Sequence, residues 1–303
     1  MGERSLRAKR QRAQEALVGY SFVLPQLLGF VLLVLLPLVH VFADSFLNKN
    51  MLFGTSRAIG WGNYLKIFTA DKLFWGTLGN TFVFSLLLVP INLIFALALA
   101  LYLGQSRPGT RYIRTVIFLP VVTSGVAWAI VWKYLLQSGD VGPVNWLLGQ
   151  LGLPAQNWLL EPHWAMFSVV MNRVLKNLGT NVLIFFGAVM NMPSDVIEAA
   201  RMDGASGFSL LRKIKLPLLM PTILMVAIVT MIGSMRVFDT IRLMTDGGPQ
   251  GSTMVLVYYI YHQAFKAFNT GYASALAVIL FVIVLVLTVI QWAMRKKVSH
   301  YES

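Results

Sequence analysis

The chain has no cysteine among its 303 residues, which removes disulfides, thiolate metal sites and cysteine nucleophiles at once. Charge is nearly as scarce. Only 12% of residues are Asp, Glu, Lys or Arg, about half the share of a water-soluble globule. With a mean hydropathy of +0.68, such a chain has lipid as its main solvent. Histidine occurs only at His40, His163, His262 and His300, never clustered. No H-E-x-x-H pair, no G-x-S-x-G elbow and no G-x-x-x-x-G-K-[ST] phosphate loop is present, so a membrane hydrolase and an ATP-binding chain both lose support. No period of 20 to 50 residues is visible and the two halves are unlike, which argues against an internally duplicated carrier. A duplicated pore then has to come from a second chain.

What is abundant is apolar sequence. A helix needs about 20 apolar residues to cross roughly 30 Å of hydrocarbon, and six stretches qualify, near 20–43, 79–103, 113–136, 165–190, 218–241 and 272–294. The basic run Arg4, Arg7, Lys9, Arg10 and Arg12 precedes an apolar run from Leu17 to Phe46. That run exceeds a signal-peptide core and ends at no small-residue cleavage site, so an uncleaved anchor is expected. Pro25, Pro37, Pro90, Pro120 and Pro221 fall within spans and are expected to kink them, since neighbouring helices can satisfy the carbonyls that proline frees.

The formal charge of +13 does not mark a nucleic-acid binder, because the basic residues sit in short clusters at the ends of apolar runs rather than along one face. Their distribution sets topology instead. One side holds the N-terminal run, Arg107, Arg111 and Arg114, then Arg201, Arg212, Lys213 and Lys215, then Arg295, Lys296 and Lys297. The other holds only Lys49, Arg57, Lys66, Lys72 and Lys266. Both termini and the 191–217 loop are therefore expected in the cytoplasm.

That loop is polar between two apolar spans. Ser194 is a predicted cap and Asp195 a first-turn acid for a helix over about 195–202. Asp203-Gly204 breaks it through left-handed geometry. A second short helix over about 207–215 places Phe208, Leu211 and Ile214 on one face before Pro217 opens the next span. By spacing alone, a hairpin lying on anionic lipid headgroups is an equal reading.

Glu198-Ala199-Ala200, Asp203-Gly204-Ala205 and Leu216-Pro217, in this order between two spans, resemble the "EAA" coupling loop of binding-protein-dependent ABC importers. The resemblance covers about residues 24–294 and is similar to the sugar-type branch of maltose and glycerol-3-phosphate permeases. Leu24-Pro25, Pro37, Ser45-Phe46, Asn63-Tyr64, Phe74 and Asn80-Thr81 carry it early. Phe238-Asp239, Leu243-Met244-Thr245, Gly247-Gly248-Pro249, Thr253, Tyr259, Ala264-Phe265 and Gly271-Tyr272-Ala273 carry it late. One departure stands out: the branch often has Trp-Lys in the fourth span, whereas Val174-Leu175-Lys176 keeps only the lysine.

The resemblance implies an all-α integral membrane protein of six transmembrane helices with an ABC type-1 importer permease core. Its divisions would be a basic tail (1–17), a first helix and loop (18–75), the transmembrane type-1 domain (76–292) and a C-terminal tail (293–303). It would be a non-catalytic subunit of the bacterial or archaeal cytoplasmic membrane, with no cofactor of its own, since ATP and Mg belong to the ATPase. Implied partners are ABC ATPase subunits, a second permease, an extracytoplasmic solute-binding protein and membrane lipid. Glu198, Ala199, Ala200, Asp203, Gly204, Ala205, Leu216 and Pro217 would form the ATPase-coupling site.

Charges within spans are costly and usually face protein or water. Arg236, Asp239 and Arg242 recur every three residues, which places them on one helical face if the fifth span continues through them. Either they line a translocation pathway, or Asp239 neutralises arginines that snorkel to the interface. Arg173 and Lys176 share a face of the fourth span with Asn172, Asn177, Thr180 and Asn181. Solute recognition and helix-to-helix hydrogen bonding fit that face equally. The loop at 138–163, with Trp146, Trp158 and Trp164, suits either the binding protein or the bilayer surface. A stand-alone carrier or channel is the rival function, and it leaves the docking loop unexplained. The cysteine-free background makes topology directly testable: Ser206→Cys should react with a membrane-impermeant maleimide in inside-out vesicles and stay unlabelled in intact cells.

Overall fold

A computed structural model describes residues 2–105 and 109–299; Arg107 and His300 lie outside them. Among the described residues, four helices are long and apolar enough to cross a membrane: Val18–Asp44, Lys72–Leu103, Gly207–Met235 and Thr270–Ala293. Two bent pairs raise the number to six if each counts as one span. Tyr112–Val122 and Gly125–Leu135 meet at 108°, and Pro162–Met190 and Ser194–Met202 at 69°. The single helix expected over 113–136 is thus two half-helices, broken at Thr123-Ser124. The fifth span, expected to reach 241, ends at Met235.

Most prolines do not break their helices. Two π-helical turns, Val31–Leu35 and Leu211–Lys215, end immediately before Leu36-Pro37 and Leu216-Pro217. In each, the leucine N–H reaches the carbonyl five residues back, at Val31 and Leu211 respectively. A proline lacks the N–H for its own helical bond and crowds the carbonyl four residues earlier; in both places the turn that the proline faces is π, a single-turn widening of the helix. The helix accordingly runs unbroken through Pro217, which does not open the span as expected. Pro25, Pro90 and Pro221 also lie inside helices.

The chain divides into two units, 1–66 with 263–278 and 67–262 with 279–303. In the first, Leu47–Asn50 pairs antiparallel with Thr55–Ala58, Leu47 opposite Ala58. Asn63 donates to the carbonyls of Ser45 and Leu47 at 2.8 and 3.0 Å, and the Tyr64 hydroxyl donates to Ser45 Oγ at 2.7 Å. Thr270 Oγ1 donates to the Lys49 carbonyl. A Cβ at Gly271 would overlap the Leu47 carbonyl, so only glycine allows this approach.

In the second unit, helix 72–103 packs along helix 162–190. Phe84 and Leu88 meet Val169, Val170 and Val174, joined by Val237, Ile241 and Tyr258. Further along, Ala96 and Ala100 let the backbones close on Leu178, Val182, Phe185 and Val226, the small-residue packing that substitutes for a hydrophobic drive in lipid. Buried polar groups stitch three helices together. Asn92 donates to the Val174 carbonyl at 3.0 Å, Asn181 Nδ2 donates to Asn92 Oδ1 and to Thr230 Oγ1, and Ser234 donates to Ser85 at 2.7 Å. Asn80 holds the carbonyls of Gly251 and Met254, and Thr81 accepts from the Leu256 amide, fixing the loop before helix Leu256–Tyr261. Asn145 organises the 138–163 loop by donating to the carbonyls of Gln137, Gly139 and Gln156 and accepting from Trp158 Nε1 at 2.8 Å. Trp158 packs edge-on against Trp164, while Trp146 is exposed. Asn92→Leu, which removes the bonds to Val174 and Asn181, should lower the resistance of the detergent-solubilised protein to thermal unfolding, at about 0.6 kcal/mol per interhelical bond on average.

Candidate functional site

The 191–217 loop is built around one helix, Ser194–Met202. It starts after extended Pro193. Ser194 is its first residue and not its cap; its hydroxyl donates to Asp195 Oδ1 at 3.2 Å. Asp195 in the first turn and Arg201 in the last each match the end of the helix dipole they face. The helix closes as expected at Gly204. The Ala205 amide reaches back to the Ala200 carbonyl at 2.9 Å and the Gly204 amide to Arg201 at 3.0 Å, with Gly204 at φ +85°. Nested bonds of this kind around a left-handed glycine form a Schellman motif.

The closure divides the signature residues. Ala200 is buried and Ala205 partly buried, whereas Glu198, Ala199 and Asp203 are exposed. The second short helix is not a separate element: Gly207–Leu210 and the π turn Leu211–Lys215 are the first turns of the span Gly207–Met235, so Leu216 and Pro217 sit inside a continuous rod. Its apolar face also differs from expectation. Leu210 is buried and Leu211 and Ile214 partly so, while Phe208 is 73% exposed. Met202 is 88% exposed, and Glu198, Arg201, Asp203, Arg212 and Lys213 are exposed as well. The sequence pattern missed Met202, which follows the recognised signature and carries no charge to mark it.

The second polar region surrounds the break at Thr123-Ser124. Lys176 Nζ donates to the carbonyls of Pro120 and Thr123, so its charge is committed to backbone. Trp128 Nε1 donates to the Asn172 carbonyl at 3.2 Å. The Asn172 side chain is buried and, among the described residues, neither its oxygen nor its nitrogen has a hydrogen-bond partner. Asn177 is partly buried and Thr180 exposed. Asn181 belongs to the interhelical network with Asn92 and Thr230, so on this part of the face helix-to-helix bonding holds.

Arg236, Asp239 and Arg242 do not share a helical face. Arg236 caps the end of helix Leu216–Met235, and Asp239 opens a separate helix, Asp239–Met244. The chain breaks between them to bury Val237, Ile241 and Met244. Asp239 does not neutralise both arginines. Its Oδ2 lies 3.9 Å from where a Cβ on Gly125 would stand. Arg242 instead pairs with Asp246 four residues on, which raises the guanidinium pKa above its ordinary value. Asp246 Oδ1 also accepts from the Tyr258 hydroxyl at 2.6 Å. The Arg242–Asp246 spacing was readable as an i, i+4 pair once a helix starts at Asp239. Beside it opens a cleft of about 650 Å³ lined by Lys133, Tyr134, Gln137, Thr245 and Asp246 among others. Among the described residues no group of three His, Asp or Glu could hold a metal ion.

Residues 92–300 match the family described as binding-protein-dependent transport system inner membrane component. The chain belongs to this family. It is a multi-pass membrane permease, a transport subunit without catalysis of its own. Its relatives agree. The permease is 32% identical over 281 residues to the trehalose/maltose transport system permease protein MalF of Thermococcus litoralis, covering 91% of this chain and 93% of that protein. It is 30% identical over 274 residues to the arabinooligosaccharides transport system permease protein AraP of Bacillus subtilis, with 89% and 86% covered. A chain of a bacterial alginate ABC transporter, crystallised with an alginate pentasaccharide-bound periplasmic protein, superposes with a TM-score of 0.84 at 21% identity over 95% of this chain and 97% of that one. The shared architecture is the type-1 permease core.

Gly204 of this permease's loop sits at φ +85°, a backbone conformation that side chains other than glycine's rarely adopt. Gly204→Val places a β-branched residue at positive φ, costing about 1 to 2 kcal/mol, and should lower hydrogen-exchange protection of the Ala205 amide about 5- to 30-fold. Gly204→Asn, which tolerates left-handed geometry, should retain it.

Proposed function

We propose that this chain is one of two permease subunits of an ATP-driven importer for a sugar or a related polyol or glycerol phosphate, and that the 191–217 loop couples it to the ATPase. The observation that carries the coupling role is the Schellman-closed helix Ser194–Met202. It carries Glu198 and Met202, both exposed and four residues apart on one helical face, so that charge and apolar surface form one patch. Such a patch suits a protein groove. Glu198 pairs there with a basic group of the ATPase, Ala199 allows close approach, and Ala200 and Gly204 hold the helix end in shape. The ATPase supplies ATP and Mg; this chain binds neither. The loop and both termini face the cytoplasm, where the basic residues concentrate.

The solute class rests on the relatives, whose names specify trehalose/maltose and arabinooligosaccharide transport. The pathway passes Arg173, Asn177, Arg236, Asp239 and Arg242, with Lys176 shaping its wall from behind, and opens outward through the cleft beside Asp246. The core domain is residues 76–292, preceded by the first helix and its loop (18–75), with tails at 1–17 and 293–303. An extracytoplasmic binding protein delivers the solute.

The decisive experiment reconstitutes the complex of this chain, its second permease and its ATPase in proteoliposomes with the binding protein. Glu198→Ala should lower solute uptake about tenfold or more, equivalent to roughly 1.4 kcal/mol, while ATP hydrolysis continues or the ATPase dissociates. Uptake at the parental rate in both Glu198→Ala and Gly204→Val would exclude the loop as the coupling element.

A further inference from the structure

The break in the third span is held from one side by a single stripe of the fourth. Three positions on helix Pro162–Met190, at residues 172, 176 and 179, follow the i, i+4, i+7 spacing of one helical face. Each engages a different part of the bent span. Gly179 meets the half-helix before the bend: a Cβ there would lie 2.5 Å from the Ile117 carbonyl oxygen and 2.6 Å from Val121 Cγ2, so the two backbones touch. Lys176 meets the bend itself, its ammonium donating to the carbonyls of Pro120 and Thr123. The Asn172 carbonyl meets the half-helix after the bend, accepting from Trp128 Nε1 at 3.2 Å.

A broken span leaves the last carbonyls of its first half and the first amides of its second without helical partners, and lipid offers none. Here the carbonyl end is answered twice. Thr123 Oγ1 donates to the Leu119 carbonyl at 2.9 Å, and Lys176 donates to the carbonyls of Pro120 and Thr123 with a charge of the sign that suits a helix C-terminus. The Ser124 side chain does not cap the second half, Gly125–Leu135. Instead, the Asp239 carboxylate lies close to its first residue, Gly125, and negative charge suits an amide end. Opposite charges thus bracket the two ends of the break.

We infer that Lys176 is a positioning residue: together with Gly179 and the Trp128–Asn172 bond it templates the 108° bend of the third span, and it is not a solute-binding cation. The proposal concerns the shape of this chain alone, so it stands or falls independently of the transported solute and of the coupling loop.

Because the chain has no cysteine, nitroxide pairs can be placed cleanly at Val116→Cys and Ile130→Cys, exposed positions on either side of the bend. Pulsed electron–electron resonance distances are then recorded on the full complex in lipid nanodiscs. The parent should give one narrow distance. Lys176→Met should lengthen and broaden it, and Lys176→Arg, which keeps charge and donors, should restore it. Trp128→Phe, which keeps a ring and loses the N–H, should broaden the distribution without shifting it as far. A parental distribution in Lys176→Met overturns the proposal, as does failure of Lys176→Arg to restore it. If Lys176→Met does not assemble, Trp128→Phe decides in its place, and an unchanged distribution there overturns the template.

Discussion

Hydrocarbon accepts no hydrogen bonds, so every backbone group freed at membrane depth must find a partner within the protein. Much of the fold follows from that constraint. Where a proline threatens a helix at Pro37 or Pro217, a π turn immediately before it carries the ladder across. Where the third span does break, a lysine from the next span and a threonine from the break itself donate to the carbonyls of Leu119, Pro120 and Thr123. Where helices meet, amides and hydroxyls at Asn92, Asn181, Thr230, Ser85 and Ser234 pair with one another or with backbone. Polar residues inside the bundle are therefore mostly mutual partners.

Outside the bundle the constraint relaxes, and a different device ends helix Ser194–Met202. Its carbonyls are closed by a glycine in left-handed geometry, without any side chain from elsewhere. The exposed face of that helix is thereby freed of structural duty. Among the described residues, neither Glu198 nor Met202 is buried in the packing of this chain, which is the condition under which exposed charge and exposed apolar surface are free to serve a partner.

How legible this was depended on whether the signal lay in one segment or between two. Apolar length alone located the four long apolar helices and the two bent pairs, and Asp203-Gly204 announced the turn, because span length and left-handed glycine are local properties. The signature around Glu198 identified the family from residues contiguous in sequence. The break at Thr123-Ser124 was hidden because neither residue is polar enough to interrupt an apolar run. The role of Lys176 was hidden because its partners are carbonyls, which every residue has and which leave no trace in side-chain pattern. The face assigned to Arg236, Asp239 and Arg242 assumed continuous phase, and burial of Val237 and Ile241 reset that phase after Met235. Ser194 has the right chemistry for a cap and stands one residue too late, since the helix begins at it.

The continuity of Gly207–Met235 has a consequence for how the sequence is free to vary. Twenty-nine residues at about 1.5 Å each make a strut of roughly 40 Å, exposed at Phe208 and buried at Thr230 and Ser234. Each residue advances the strut by about 100°, so the azimuth of Phe208 is geared to that of Thr230 and Ser234. Between the two ends an insertion or deletion has no slack to absorb it: it would rotate one end against the other.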